Sequence, residues 1–130
     1  MSKLPILMLI VLPLLSHSQT YEELCNRAVW EMDNKQIVLA ITDYTFAILA
    51  DSTHEQPYIG RALCLMAEGK WSLAIKDATS ALTINPNQAV GYFIRGCAKG
   101  NLKQDGCEDL RRSSDLGYDL AIKAIEQYCR

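Results

Sequence analysis

The sequence has almost no net charge and almost no histidine, and each shortage excludes chemistry. Thirteen Lys and Arg stand against fifteen Asp and Glu, a formal charge of -2, with both signs spread along the chain. There is no basic stripe to follow a nucleic-acid backbone and no acidic tail for a basic partner. His54 is the one histidine beyond the first eighteen residues. No Cys-x-x-Cys occurs, and the ligating residue types are not clustered at metal spacing, so no metal site is expected. A Gly-rich phosphate loop, a Gly-x-Ser-x-Gly and a His-Glu-x-x-His are all missing. Cys25, Cys64 and Cys97 have no histidine on their own helices to act as base, and Glu22, Glu23, Glu108 and Asp109 read as solvated helix ends. The expectation is a non-catalytic protein without a cofactor. Strand-period alternation is also absent over any useful length, so no sheet is expected. A chain of 130 residues has room for one modest domain.

Long apolar runs are scarce as well. Leu4 to Leu15 is uncharged and broken only by Pro5 and Pro13. As a helix it would span about 18 Å, against a hydrocarbon core of roughly 30 Å. With Lys3 before it and the small residues Ser16 and Ser18 after it, the run reads as a secretory signal peptide over residues 1–18, cleaved before Gln19. The alternative is a buried N-terminal helix. Cys25, behind Glu22 and Glu23, is too far along for a lipoprotein site. Export, to a periplasm or out of the cell, would place the five cysteines (Cys25, Cys64, Cys97, Cys107, Cys129) where thiols pair, leaving at least one over.

What the chain does have is a repeat. Asn26-Arg27-Ala28, Gly60-Arg61-Ala62 and Ile94-Arg95-Gly96 recur at intervals of 34 residues. In the same frame Ala40 answers to Ala74, Asp43 to Asp77, Ala47 to Ala81 and Tyr58 to Tyr92. A two-residue shortening in the third unit brings Gly106 and Asp109 into the places of Ala74 and Asp77. Within the middle unit Tyr58, Ala62, Leu65 and Met66 share one helical stripe, and Trp71, Ala74, Ile75, Ala78, Ala81 and Leu82 share another. Alanines at 62, 74 and 81 allow two helices to approach closely, with Trp71 as an apolar wedge near the turn. Gly69 suits the end of the first helix, and Asn85-Pro86-Asn87 stops the second. The pattern predicts helices over about 21–33, 36–50, 55–68, 71–84, 88–100, 104–116 and 118–129.

This helix-turn-helix period resembles the tetratricopeptide repeat (TPR). In Glu55 to Gln88 the residues Tyr58, Ala62, Gly69, Trp71, Ala74, Ala81 and Pro86 fall where that family places its signature. The unit Tyr21 to His54 departs from it: Leu24 replaces the aromatic, Lys35 the turn glycine and Ser52 the terminal proline. The third unit has Tyr92 and Gly96 but a shortened turn. Its ending, from Gly106-Cys107-Glu108-Asp109 to Tyr128-Cys129, resembles the terminal unit of small exported TPR proteins of Bacteroidetes-type bacteria. The resemblance covers about 110 residues. It implies an all-α solenoid of three antiparallel helix pairs in a domain over 19–130, with units at about 21–54, 55–88 and 89–117 and a capping helix over 118–129. On that helix Leu120, Ala121, Ala124, Ile125 and Tyr128 would face inward, and Asp119, Lys123 and Glu126 would face water.

By the family frame, the groove positions of the first helices hold Cys25, Val29 and Met32, then Ile59, Leu63 and Met66, then Phe93 and Cys97. The resemblance therefore implies a protein-binding scaffold that docks an apolar peptide or helix on Val29, Met32, Ile59, Leu63, Met66 and Phe93. The family's Lys, Arg and Asn clamp for a chain-end carboxylate is not visible, so a chaperone tail is not the expected ligand. The alternative is a self-associating structural subunit, a homodimer, whose groove is covered by a second copy or by its own N-terminal residues. Arg27, Arg61 and Arg95 could form an anion ladder; structural pairing with Asp43, Asp77 and Asp109 is the expected role, with the partners left open. Cys107, near the start of one helix, and Cys129, at the end of the next, should meet in an antiparallel hairpin and form a disulfide, the alternative being two buried thiols. Cys25, Cys64 and Cys97 read as small packing residues, or Cys64 and Cys97 as a second bridge.

Overall fold

Seven helices and no strands make up residues 19–130, the part of the chain that the computed structural model describes. The expected signal peptide, residues 1–18, lies outside the described residues. The helices are α1 (Tyr21–Asp33), α2 (Ile37–Ala50), α3 (Gln56–Ala67), α4 (Trp71–Ile84), α5 (Ala89–Asn101), α6 (Cys107–Asp115) and α7 (Leu120–Tyr128). Local chemistry sets several ends. Thr20 caps α1 by accepting from the Glu23 N–H at 3.2 Å, while the Glu23 carboxylate accepts from the Thr20 N–H at 3.0 Å, a reciprocal capping box. Pro57 sits in the first turn of α3, where a missing N–H removes no bond. Asn85 ends α4 before Pro86, its side-chain oxygen accepting from the Asn87 N–H at 3.1 Å.

The turn inside each helix pair recurs with the repeat. Lys35, Gly69 and Lys103, spaced 34 residues apart, all take positive φ, at 60°, 70° and 60°. Each donates its N–H to the carbonyl three residues back, and the following residue donates to the carbonyl five back, as in Gly69 to Met66 and Lys70 to Leu65. This is the left-handed closure that glycine adopts most readily; the outer two turns accept lysine in the same geometry. After Lys103, residues 104–106 stay outside the helix, with the Asp105 carboxylate accepting from the Cys107 N–H at 2.9 Å. The third pair therefore loses the first turn of its second helix, and α6 begins at Cys107, later than the expected 104.

Consecutive helices pack on one another, and α1, α3, α5 and α7 also touch in sequence as an inner row. The outer helices α2, α4 and α6 make no such mutual contacts, so the inner surface is the concave one. Small residues permit the close approach. Ala62, Ala74, Ala78 and Ala98 are fully buried around Ile94 and Leu65 between α3, α4 and α5. Gly60 lies directly under the ring of Tyr44, where a Cβ would overlap it. At the C-terminal end Ala121 and Ala124 are buried, while Leu120 is 52 % exposed. Leu120 thus does not join the core as expected. α7 packs only on α5 and α6, so its first residue overhangs the concave side.

Candidate functional site

The inner row presents residues four and then three apart on α1 and α3 and four apart on α5, and those intervals place them on one face. Between α1 and α3 they line a cavity of about 340 Å³ formed by Cys25, Val29, Met32, Ile59 and Leu63 beside Tyr44. Between α3, α5 and α7 a second cavity, of about 470 Å³, is lined by Leu63, Met66, Trp71, Phe93, Cys97 and Tyr128. Leu63 borders both. All six expected anchors, Val29, Met32, Ile59, Leu63, Met66 and Phe93, therefore lie on these two hollows. Phe93 is held by an edge-on contact with Tyr118, ring centroids 5.0 Å apart. The Tyr44 hydroxyl donates to the Met32 sulfur at 3.4 Å, which fixes part of the first hollow.

Electrostatically the surface is quiet. Asp33 at one end and Lys123 at the other are the charged side chains lining the two cavities. Lys123 is exposed, as expected, and stands at the mouth of the larger cavity beside Asn101 and Gln127. Burial pushes the Cys64 and Cys97 thiols up to about 11 and raises that of Cys25. Such thiols stay protonated near neutral pH and act as small apolar groups. All three are free, so the possible Cys64 to Cys97 bridge is not formed.

The recurring arginines lie elsewhere, and each bonds to the aspartate of its own unit. Arg61 grips Asp77 through two bonds of 2.7 and 2.8 Å. Arg95 grips Asp109 at 2.9 and 2.8 Å, and Lys99 adds a third bond at 2.9 Å. Arg27 holds Asp43 through Nε and through Nη2, the latter at 2.6 Å. The free corners of Arg61 and Arg95 donate to Thr45 and Thr79 of the preceding unit at 3.1 and 3.4 Å. Each guanidinium fork thus engages a carboxylate, as structural pairing requires. The Arg27 bonds hold the Asp43 carboxyl below its usual range. Burial opposes ionisation of Asp109, but Arg95 and Lys99 outweigh it and the net direction is down. The first unit has a defect: Glu31 is buried beside Asp43, one of its carboxylate oxygens has no hydrogen-bond partner, and burial raises its pKa.

The last hairpin is closed covalently. Cys107 and Cys129 form a disulfide with their Cα atoms 5.7 Å apart, joining the start of α6 to the end of α7. Trp71, Lys123 and Tyr128 are cavity residues that the sequence reading assigned to packing or to solvent. For Lys123 the signal was the last helix itself, whose residues 120, 123, 124 and 127 share one face.

No family model matches the chain. In sequence it is 33% identical over 98 residues to small glutamine-rich tetratricopeptide repeat-containing protein 2 of Saccharomyces cerevisiae, covering 74% of this chain and 28% of that protein. It is 38% identical over 85 residues to TPR repeat-containing thioredoxin TDX of Arabidopsis thaliana, covering 64% of this chain and 22% of that one. The chain thus spans less than a third of the length of either relative. Among solved structures, the Arabidopsis OM64 TPR domain is similar at a TM-score of 0.76 and 23% identity, over 83% of this chain and 95% of that chain. The first TPR of Spaghetti (RPAP3), bound to the HSP90 peptide SRMEEVD, reaches 0.80 at 21% identity, over 87% and 93%. The architecture is therefore the TPR fold, an all-α solenoid of helix pairs followed by a C-terminal helix, and in sequence the chain resembles TPR-repeat proteins.

Proposed function

We propose that this protein is an exported, non-catalytic interaction scaffold that takes an apolar peptide or amphipathic helix of a partner protein into its concave groove. The observation that carries this reading is the pair of apolar cavities sharing Leu63 on the inner row. Two adjoining hollows suit side chains from successive turns of one docked helix. A structural neighbour holding a peptide, the RPAP3 domain, lends support. An acidic peptide like that neighbour's is not the expected ligand here, because Lys123 is the one cation lining the cavities. Burying each apolar anchor contributes about 1.5–3 kcal/mol, so two or three of them suffice for useful affinity. Export is supported by the leader-like composition of residues 1–18 and by the Cys107 to Cys129 bridge.

The test is affinity capture from the exported fraction, comparing wild type with Phe93→Asp and with Ile59→Lys. Both variants put a charge into the groove from different helices. Loss of the same partner from both, with helicity and melting temperature retained, is the expected result. Retention of every partner by both folded variants would place the binding surface elsewhere. A stable dimer that hides Met32, Met66 and Phe93 would favour the self-associating alternative.

A further inference from the structure

The outward face of α2 is unlike that of the other outer helices. Val38, Leu39, Phe46 and Leu49 are 69, 52, 53 and 75 % exposed. At 100° per residue they form, with Thr42, Thr45 and Ala50, one uninterrupted arc of roughly 140°. No charged side chain interrupts it. The one acid of α2, Asp43, is buried and bound to Arg27. The repeat supplies an internal control. The positions of Val38, Thr42, Phe46 and Leu49 hold Ser72, Lys76, Ser80 and Thr83 on α4, and the last three hold Glu108, Arg112 and Asp115 on α6. Leu39 and Ala50 alone have apolar counterparts on α4, Leu73 and Ile84, 51 and 38 % exposed; the remaining stations of α4 are polar, so nothing in the fold requires the α2 arc to be apolar throughout.

We propose that this arc is a self-association surface, on which two copies of the chain pair α2 against α2 about a twofold axis and leave both concave grooves open. The arc offers a heterologous partner no charge by which to be selected, whereas it matches itself. With the two helices antiparallel and centred at Tyr44, Leu39 meets the partner's Leu49, and the smaller Thr42 meets the partner's Phe46. Four apolar side chains exposing on the order of 100 Å² each give the centre of an interface, and a polar rim would bring it towards the usual ~800 Å² per partner. A small apolar centre of this kind implies a concentration-dependent dimer rather than an obligate one, with dissociation on the order of 10 μM.

Sedimentation velocity tests this on the purified full chain and on the chain beginning at Gln19, which holds every helix described. Both should pass from monomer to dimer across the micromolar range. Giving α2 the outer face of α4, by Val38→Ser, Thr42→Lys, Phe46→Ser and Leu49→Thr together, should weaken the dimer at least ~100-fold while circular dichroism shows an unchanged fold. The single variant Leu49→Lys serves as an independent check, and Phe93→Asp should leave dimerisation untouched. A wild type that stays monomeric throughout overturns the proposal, as does a dimer that survives both α2 variants. A dimer lost in Phe93→Asp instead would assign self-association to the groove. Dimerisation of the longer chain alone would assign self-association to residues 1–18, which also overturns it; dimerisation of the shorter chain alone, the form left after leader removal, supports it.

Discussion

Replacing Cys107 and Cys129 together by alanine opens the covalent ring that α6 and α7 close. The two positions are 22 apart in sequence, and for a ring of that length the chain-entropy relation gives about 3 kcal/mol of stabilisation. At about 4 °C per kcal/mol for a domain of this size, the melting temperature should fall by about 12 °C. The loss should begin locally. α7 is a nine-residue helix, below the length at which an isolated helix persists in water. Its hold on the solenoid rests on Ala121, Ala124 and the half-buried Ile125 and Tyr128. Amide exchange across residues 118–130 should therefore accelerate well before the units around Ile94 open. The assay is thermal and urea unfolding of wild type with and without reductant, alongside the double variant, with hydrogen exchange by mass spectrometry. Reduced wild type should behave as the variant does. Reductant should leave the variant unchanged, because the remaining three cysteines are free thiols. Oxidised wild type and variant unfolding within about 0.5 kcal/mol of each other would refute the chain-entropy reasoning.

Arg61→Ala leaves the buried Asp77 carboxylate without its two guanidinium bonds. A loss of about 2–3 kcal/mol in urea unfolding is expected, at the low end for a buried pair because Arg61 is itself partly exposed. Groove binding should persist in the folded variant. Glu31→Gln should do the opposite at neutral pH. The native carboxyl has a raised pKa through burial and the neighbouring Asp43 charge, partly offset by Arg27. Its protonated form therefore suits the fold, and the stability it contributes is present below about pH 4 and lost as pH rises through the raised value. The glutamine amide avoids that loss and can donate to Asp43, so the variant should be about 1 kcal/mol more stable at pH 7, with the gap closing towards pH 4. Asp43 titrates the other way, with stability present above about pH 4 and lost as pH falls through its depressed value, but it is common to both proteins. An equal gap at both pH values would contradict the assignment to Glu31. Ala74→Leu should overfill the contact of α3, α4 and α5, where Ala74 is fully buried, at about 1–3 kcal/mol in urea unfolding.

The helix order was legible because the contacts that define it recur. A small residue at a close crossing must be small in every unit, so Ala40, Ala74 and Gly106 mark the same place. Likewise Asp43, Asp77 and Asp109 follow their arginines at nearly constant separation. Which aspartate meets which arginine was not legible, since spacing alone does not distinguish a bond within a unit from one between units. The turns show a subtler limit. Gly69 announces its positive φ, but Lys35 and Lys103 adopt the same geometry without the residue that usually signals it.

Helix faces were harder still, and for a physical reason. Periodicity separates a wet side from a dry one only where residues differ in polarity. α2 is apolar nearly all round, a pattern that ordinarily denotes a buried helix, yet it has neighbours only in α1 and α3. Its outer arc becomes visible only by setting it beside Ser72, Lys76, Ser80 and Thr83 at the same stations of α4. α7 presents the complementary difficulty. Its polarity pattern has a dry side and a wet side, but the helix meets three environments: the core, the solvent and the rim of the groove. Leu120 and Lys123 were sorted by polarity to opposite sides, whereas both belong to that rim. A side chain's job on a terminal helix is set by what the next helix would have covered, and that information lies in the stacking of the units rather than in the helix's own sequence.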